Sequence, residues 1–330
     1  MCDSRYDADL KQDDLTLAPA GESGAATGHV LRFPNPGSDR IVRAIAGDGA
    51  IRLLAARTTD TIETARGNHD LHPTPCAALG RLITGAALMS CTLKNPTDTL
   101  TLQIRSEGPI GGMIAVSDAA ANVRGYAYHG DVDLPPNGLG KLDVGGAVGK
   151  GTLHVIKDLG LKDPYIGSVP LVSGEIAEDL TWYHATSEQT PTVMTLGVLV
   201  APDWRVLQAG GLFLQLMPDA AEEWVSRLEA IVTSLPHVTA MLEAGETPES
   251  MLLERFAALE PRLLDSRPVS YVCNCSEERM QRNLISLGRK ELDELSADPD
   301  GIELQCHFCS KTYHMPPETV RHLADMATRP

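Results

Sequence analysis

The sequence predicts an α+β fold: a large mixed α/β N-terminal domain with a mainly antiparallel sheet, a helical linker, and a small C-terminal module around four cysteines. Three observations carry this. Residues 97–105 alternate, with Leu100, Leu102 and Ile104 on one face and Thr99, Thr101 and Gln103 on the other, the pattern of a half-buried strand. Strand-like and helix-like segments then follow one another without the regular alternation of a doubly wound parallel sheet. Finally, four of the seven cysteines fall within 37 consecutive positions near the C-terminus.

Each element has its own signal. Residues 1–29 are polar and rich in Gly and Ala, the composition of a flexible extension. A helix is expected over 76–89, with Leu79, Leu82, Ile83 and Ala86 on one face. Segments 110–116 and 123–128 follow the strand at 97–105 across short turns, which suggests an antiparallel meander. Further strands are expected at 153–156, 193–200 and 206–216. Pro218 opens a change of character. Asp219 and Glu222 have capping-box spacing, and Ala221, Trp224, Val225, Leu228, Ile231, Val232 and Leu235 keep helical period. Pro236, Gly245, Pro248 and Pro261 then cut the chain into short helices carrying Met241, Leu242, Met251, Leu252, Leu253, Phe256 and Leu259. Helices this short need a surface to pack on, so the stretch reads either as a docked linker or as an ordinary helical subdomain. The last segment has helical apolar positions at Met280, Leu284, Leu287, Leu292 and Leu295 and a strand at 302–305, too few to hold a fold alone. The expected divisions are 1–29 (extension), 30–218 (core domain), 219–265 (helical linker), 266–318 (four-cysteine module) and 319–330 (tail).

Composition narrows the function classes. The 330 residues carry a formal net charge of -16. Such a surface repels nucleic-acid phosphates and acidic membranes. No apolar run reaches the roughly 20 residues that span a bilayer. The acidic start, MCDSRYDADLKQDD, lacks the basic and apolar regions of a signal peptide, so the expectation is a cytoplasmic protein that binds neither nucleic acid nor membrane. An odd cysteine count in such a chain argues against a structural disulfide framework.

The chemistry concentrates in two cysteine pairs. In Cys273-Asn-Cys275, an extended backbone turns both sulfurs to one side. Cys306-His-Phe-Cys309 has the spacing of a metal knuckle, and thirty residues separate it from Cys275. Four thiolates satisfy tetrahedral zinc, and a closed set is structural rather than hydrolytic. The predicted ligands are therefore Cys273, Cys275, Cys306 and Cys309, with one zinc ion per chain. His307 and His314 are rival ligands by type, but four sulfurs already suffice. Arg279, Arg282, Arg289, Lys290 and Lys311 either offset the thiolate charge or form a solvated basic face. Such a site can also sense oxidants: disulfides can form within each pair and eject the metal. Losing zinc removes on the order of 10 kcal/mol from a small module. Cys76 and Cys91 read as core cysteines, and Cys2 has no assigned role. The segment 144–151 misses two defining residues of a phosphate loop, having Val144 for the first glycine and Gly151 for Ser/Thr, and reads as a hairpin connection. No nucleophile elbow, zinc-protease or dinucleotide motif occurs, so no catalytic residue is assigned.

At these cysteines the chain resembles the 33-kDa heat-shock protein family of redox-regulated holdase chaperones. The likeness extends through HPTPCAALGRL (72–82), EGPIGG (107–112), GTLHVIKDLGLKDPYIGSVPLVSGEIAEDL (151–180), SEQTPT (187–192) and AGGLFLQLMP (209–218), covering about 30–318. The extension before residue 30 departs from the usual family length. The resemblance implies an ATP-independent chaperone, not an enzyme, that binds unfolded or partly folded client proteins. It implies a reduced, zinc-bound, inactive state and activation by oxidation, with redox disulfides Cys273-Cys275 and Cys306-Cys309 and zinc release. It also implies a linker docked on the larger domain and a homodimer when oxidised. Two rival readings remain, a zinc-module nucleic-acid binder and a thiol–disulfide oxidoreductase.

Overall fold

The computed structural model describes residues 37–218 and 220–327. The expected extension at 1–29, Cys2 and the Asp219 half of the expected capping box lie outside the described residues.

An antiparallel five-stranded sheet runs in the order β10-β1-β2-β9-β8, with β1 Arg40–Ala46, β2 Ile51–Arg57, β8 Thr192–Val200, β9 Val206–Leu216 and β10 Arg262–Pro268. A six-stranded sheet runs β11-β5-β4-β3-β6-β7, with β3 Thr99–Ser106, β4 Gly112–Asp118, β5 Asn122–Ala127, β6 Gly151–Asp158, β7 Tyr165–Pro170 and β11 Ser270–Tyr271. All its pairs are antiparallel except β11 with β5. The expected strand at 97–105 is β3, and its predicted face is the buried one: Leu100, Leu102 and Ile104 are at most 1% exposed. The meander β3-β4-β5 also forms as expected.

Helix α1 (Thr59–His69) precedes α2 (Pro73–Ser90), which packs on strands of both sheets. The periodicity predicts one apolar face for α2. The structure instead buries sixteen of its eighteen residues, because sheets lie on opposite sides of it. Small residues permit this: a Cβ at Gly85 would fall 2.6 Å from the Leu180 side chain. The phosphate-loop-like segment is a one-turn helix, α3 (Val144–Val148), rather than a hairpin connection. Asp143 accepts from Gly146 N at 2.9 Å and Glu175 from Gly145 N at 3.1 Å, so the chain's own carboxylates occupy the backbone donors a phosphate would use. Helix α4 (Ala177–Thr186) follows β7.

The five-stranded sheet is apolar on both faces. Ile41, Leu54, Ala56 and Phe213 face the core shared with α2, while Val42, Leu53, Ala55, Leu212 and Leu214 face the other way. That second face is covered by α5 (Glu222–Ser234), α6 (Val238–Glu243), α7 (Pro248–Ser250), a π-type turn at Met251–Arg255 and a 3-10 turn at Ala257–Leu259. Met241, Leu242, Met251, Leu252, Phe256 and Leu259 are all at most 5% exposed in this contact. Leu253 points outward, 43% exposed. The wide turn at 251–255 sets Met251 and Leu252 inward together and leaves Leu253 to solvent.

The chain then does something local patterning does not show. The boundary expected at 265/266 falls inside β10, which returns to pair with β1; Arg43 and Asp265 sit opposite each other, with Arg43 Nε donating to Asp265 Oδ1 at 2.7 Å. Residues 270–271 add β11 to the other sheet. The segment just before the first cysteine is thus stitched to an edge of each sheet. Beyond it lie α8 (Glu277–Ile285), α9 (Arg289–Leu295), the hairpin of β12 (Ile302–Gln305) and β13 (Thr312–Met315), and α10 (Pro317–Met326). Most of the expected tail at 319–330 is therefore helix. Val320, Leu323 and Ala324 of α10 join Leu284, Leu292 and Met315 in one small core, which is why the helix forms. No described helix is long and apolar enough to cross a membrane.

Candidate metal centre

Two backbone turns bring the cysteines together. Val272 N donates to Val123 O at 2.8 Å, so the chain leaves the sheet edge immediately before Cys273. Ser276 then caps α8, accepting from Arg279 N at 3.3 Å, and Arg279 reaches back to the Asn274 carbonyl at 3.2 Å. These bonds fix Cys273 and Cys275 in a short extended stretch between a strand end and a helix start. The second pair sits at the tip of the β12-β13 hairpin. Cys306 N donates to Lys311 O at 2.9 Å and Ser310 N to Cys306 O at 2.8 Å, closing the knuckle.

The four ligand sulfurs all lie within 4.8 Å of one another. Cys273 Sγ is 3.6 Å from Cys306 Sγ, and Cys275 Sγ is 3.4 Å from Cys309 Sγ. Sulfurs at about 2.3 Å from a tetrahedral zinc are separated by roughly 3.8 Å, whereas a disulfide needs about 2.05 Å. The donor set therefore fits a four-thiolate metal and is not disulfide-bonded. Cys306 is buried and the other three are half-buried. His307 and His314 are exposed, and neither belongs to the cluster. Of the nearby basic residues, Lys311 stacks over the Tyr313 ring at 4.9 Å, and Arg289 pairs with Asp325 at 3.3 Å.

The sulfurs are not equivalent. Burial and the neighbouring thiols push Cys273 well above the ordinary thiol range, and burial raises Cys309. Burial opposes ionisation of Cys275 too, but hydrogen bonds from Tyr313 and the other thiols outweigh it and bring it down to about 7. The Tyr313 hydroxyl donates to Cys275 Sγ at 3.1 Å. By contrast, burial drives Cys76 to about 12 and Cys91 to about 11, which makes both unreactive core thiols.

Sequence reasoning missed the residues that seat the knuckle on the rest of the molecule. The Tyr271 hydroxyl lies between two carbonyls, Gly125 O at 2.9 Å and Phe308 O. His69 Nε2 is 3.1 Å from each of the same two carbonyls, and its Nδ1 is 3.3 Å from Ser310 Oγ. One phenolic and one imidazole proton can thus serve both acceptors. The Phe308 ring meets Tyr126 edge-on at 5.2 Å, and the Arg124 guanidinium lies over it at 5.1 Å. Tyr271, two positions before Cys273, was within reach of a local reading. His69, more than two hundred residues away, was not.

A model of the family described as Hsp33 protein matches residues 39–316. The chain belongs to the Hsp33 family. Members similar to it include the 33 kDa chaperonin of Lachnoclostridium phytofermentans, 47% identical over 292 residues that cover 88% of this chain and 99% of that protein. The 33 kDa chaperonin of Ruminiclostridium cellulolyticum is 47% identical over 285 residues, 86% of this chain and 97% of that one. Among solved Hsp33 structures, the crystal structure of the Thermotoga maritima 33 kDa chaperonin superposes with a TM-score of 0.82 at 35% identity, covering 88% of this chain and 98% of that one.

Proposed function

We propose that this chain is an ATP-independent holdase chaperone whose activity is switched by oxidation of Cys273, Cys275, Cys306 and Cys309. Membership of the Hsp33 family supports a chaperone function. The observation that carries the switch is the close set of four sulfurs at the base of a module whose own core is small. Zinc bound there would tie the strand end at Cys273 to the hairpin tip at Cys306. The four cysteines would hold it as thiolates, with Tyr313 donating to one of them.

Oxidation then runs on the chain's own atoms. Within each pair, Cys273 with Cys275 and Cys306 with Cys309, two thiolates form one S–S bond and give two electrons to peroxide, which takes up two protons and leaves as water. The sulfurs lose their charge and with it their hold on the cation. The hairpin tip is no longer tied to the strand end, so the Phe308 and Ser310 contacts to Tyr271 and His69 lose their anchor. Loosening would then pass back along the chain through β10, which follows the docked helices at 238–259, and expose apolar surface suited to unfolded clients. Under this reading 219–265 is the linker and the cysteine-bearing segment is the switch. The oxidised form is a homodimer, and the protein works in the cytoplasm without nucleic acid. The net charge of -16 counts against a nucleic-acid partner.

The test is aggregation of a thermally unfolding client enzyme, followed with reduced and with peroxide-treated protein, alongside zinc content. Reduced protein should carry about one zinc per chain and protect poorly. Oxidised protein should have lost the zinc and protect without ATP. Equal protection in both states overturns the redox switch, and a requirement for hydrolysable ATP overturns the holdase.

A further inference from the structure

One imidazole holds both neighbours of a candidate metal ligand. His69 ends α1, a helix that packs on α2 and β9 in the body of the molecule. Its Nε2 faces the Phe308 carbonyl at 3.1 Å and its Nδ1 the Ser310 hydroxyl at 3.3 Å. Cys309 stands between those two residues. Nε2 also faces the Gly125 carbonyl at 3.1 Å, so the ring proton belongs on this nitrogen and Nδ1 accepts from the hydroxyl. Ser310 gives a second, independent sign. Its φ is +56°, a left-handed conformation that glycine adopts freely and serine does not. A hydroxyl is kept where the backbone favours no side chain, and that hydroxyl reaches His69.

The two cysteine pairs are seated differently. Val272 N bonds Val123 O, so the backbone beside Cys273 is tied directly to the six-stranded sheet. Cys306 and Cys309 sit at the tip of a hairpin whose strands, among the described strands, pair with each other alone. That tip meets the body through the Phe308 ring on Tyr126 and through His69. Closing the Cys306–Cys309 disulfide brings two free sulfurs to about 2.05 Å. It passes two electrons to hydrogen peroxide, which with two protons becomes two waters. Cys306 is bonded at its N–H to Lys311 O and at its carbonyl to Ser310 N, so drawing the sulfurs together pulls on the turn that His69 clasps. We infer that His69, through Ser310, is a positioning residue for Cys309: it holds the turn where the four sulfurs converge and opposes closure of the 306–309 disulfide. Linkage makes the effect reciprocal, so closure weakens the clasp by the same factor and the state of the tip is passed to α1. The inference rests on the proposed redox switch and names a residue of the body that tunes it.

Two variants remove the same bond from opposite sides. Ser310→Gly deletes the hydroxyl and relieves the backbone. His69→Gln keeps a donor near the place of Nε2 and loses the Nδ1 acceptor. The experiment exposes reduced, zinc-loaded, full-length protein to peroxide, quenches it by alkylation at intervals, and quantifies the 306–309 disulfide by peptide mass. Zinc loss without peroxide is followed in parallel. Each variant should close the disulfide about fivefold faster than the parent, the worth of one ordinary hydrogen bond. The double variant should be no faster than either single one, because both lose one shared contact. Zinc loss without peroxide should keep the parent rate. If only backbone strain mattered, Ser310→Gly would firm the knuckle and slow closure, and that result overturns the inference. Parent-like closure in His69→Gln, or additive effects in the double variant, overturns it as well. So does faster zinc loss without peroxide in all three, which would reduce the contact to general loosening. If closure speeds up as stated but the oxidised variants never protect a client, the positioning role stands and the holdase reading falls.

Discussion

Helices α2 and α10 both bury apolar residues, but they sit in different surroundings. Helix α2 lies between two sheets and belongs to a cluster of 39 buried residues among those described. Helix α10 packs on α8 and α9 and belongs to a cluster of seven. The first helix would keep its place if any single neighbour were trimmed. The second has little apolar surface around it, and under the proposed function a metal crosslink supplies what packing does not. The cysteines stand where that crosslink is needed, between the last strand held by the large sheets and the tip of the small hairpin.

The largest effect that could break this contrast is metal extraction. If the four cysteines hold zinc as proposed, removing it from reduced protein with a chelator should take about 10 kcal/mol or more from the small module and nothing comparable from the body. Hydrogen exchange should show protection collapsing across 277–326 and persisting in α2. Protection that survives in both regions would mean that the seven-residue core folds by itself, and the contrast would be lost.

A smaller effect belongs to the body alone. His184 in α4 is 5% exposed, and neither ring nitrogen has a hydrogen-bond partner among the described residues. The Phe213 ring stands edge-on at 5.3 Å. Burial lowers its pKa from 6.5 to about 4. The folded form therefore holds His184 neutral where the unfolded chain would take up a proton. Stability rises with pH wherever the unfolded state binds more protons, so this contribution is complete above about pH 6.5 and is lost as pH falls toward 4. The loss is about 3 kcal/mol at the usual 1.36 kcal/mol per pKa unit. Denaturant unfolding of the body followed from pH 7 to pH 4 should show it, and His184→Leu should flatten the slope over that window. An unchanged slope in the variant would place the acid sensitivity elsewhere.

The two regions also differ in how much of them the sequence disclosed. Strand β3 was legible because one face meets the core and the other meets polar surroundings, so its period of two is written in the residues. The short helices at 238–259 were legible from Pro236, Gly245 and Pro248, and their need for a surface from their length. The cysteine spacing announced a cluster, which the structure brings within 4.8 Å. Burial on both sides makes nearly every position of α2 a core position, small residues included, so the one periodic face read from Leu79, Leu82, Ile83 and Ala86 is only part of what is buried. Pairing between distant segments leaves no local mark, so the return of β10 to β1 and the meeting of His69 with Phe308 could not be read. The same holds for the buried ion pair between Arg40 and Glu249, whose members are 209 positions apart. Helix α10 was missed for a different reason. Its apolar positions are few, and they become a core only beside Leu284, Leu292 and Met315.

The smallest effect sharpens the contrast inside the metal centre. Tyr313 is 8% exposed on β13, and its hydroxyl points at Cys275. A hydrogen bond to sulfur draws electron density from it, which favours the thiolate but makes it a weaker nucleophile, since nucleophilicity falls with basicity. Tyr313→Phe keeps the ring beneath Lys311 and deletes only the donor. Stability of the module should fall by about 1 kcal/mol, the net worth of an ordinary hydrogen bond. The rate of peroxide-driven zinc release should rise severalfold, because Cys275 becomes the more basic and more reactive sulfur. Following zinc release with a chromogenic chelator at several peroxide concentrations separates the two consequences: a higher second-order rate constant reports on the sulfur, whereas faster release without peroxide reports only on a looser module. If the peroxide-dependent term is unchanged, the hydroxyl helps to hold the hairpin and does not tune the thiolate it touches.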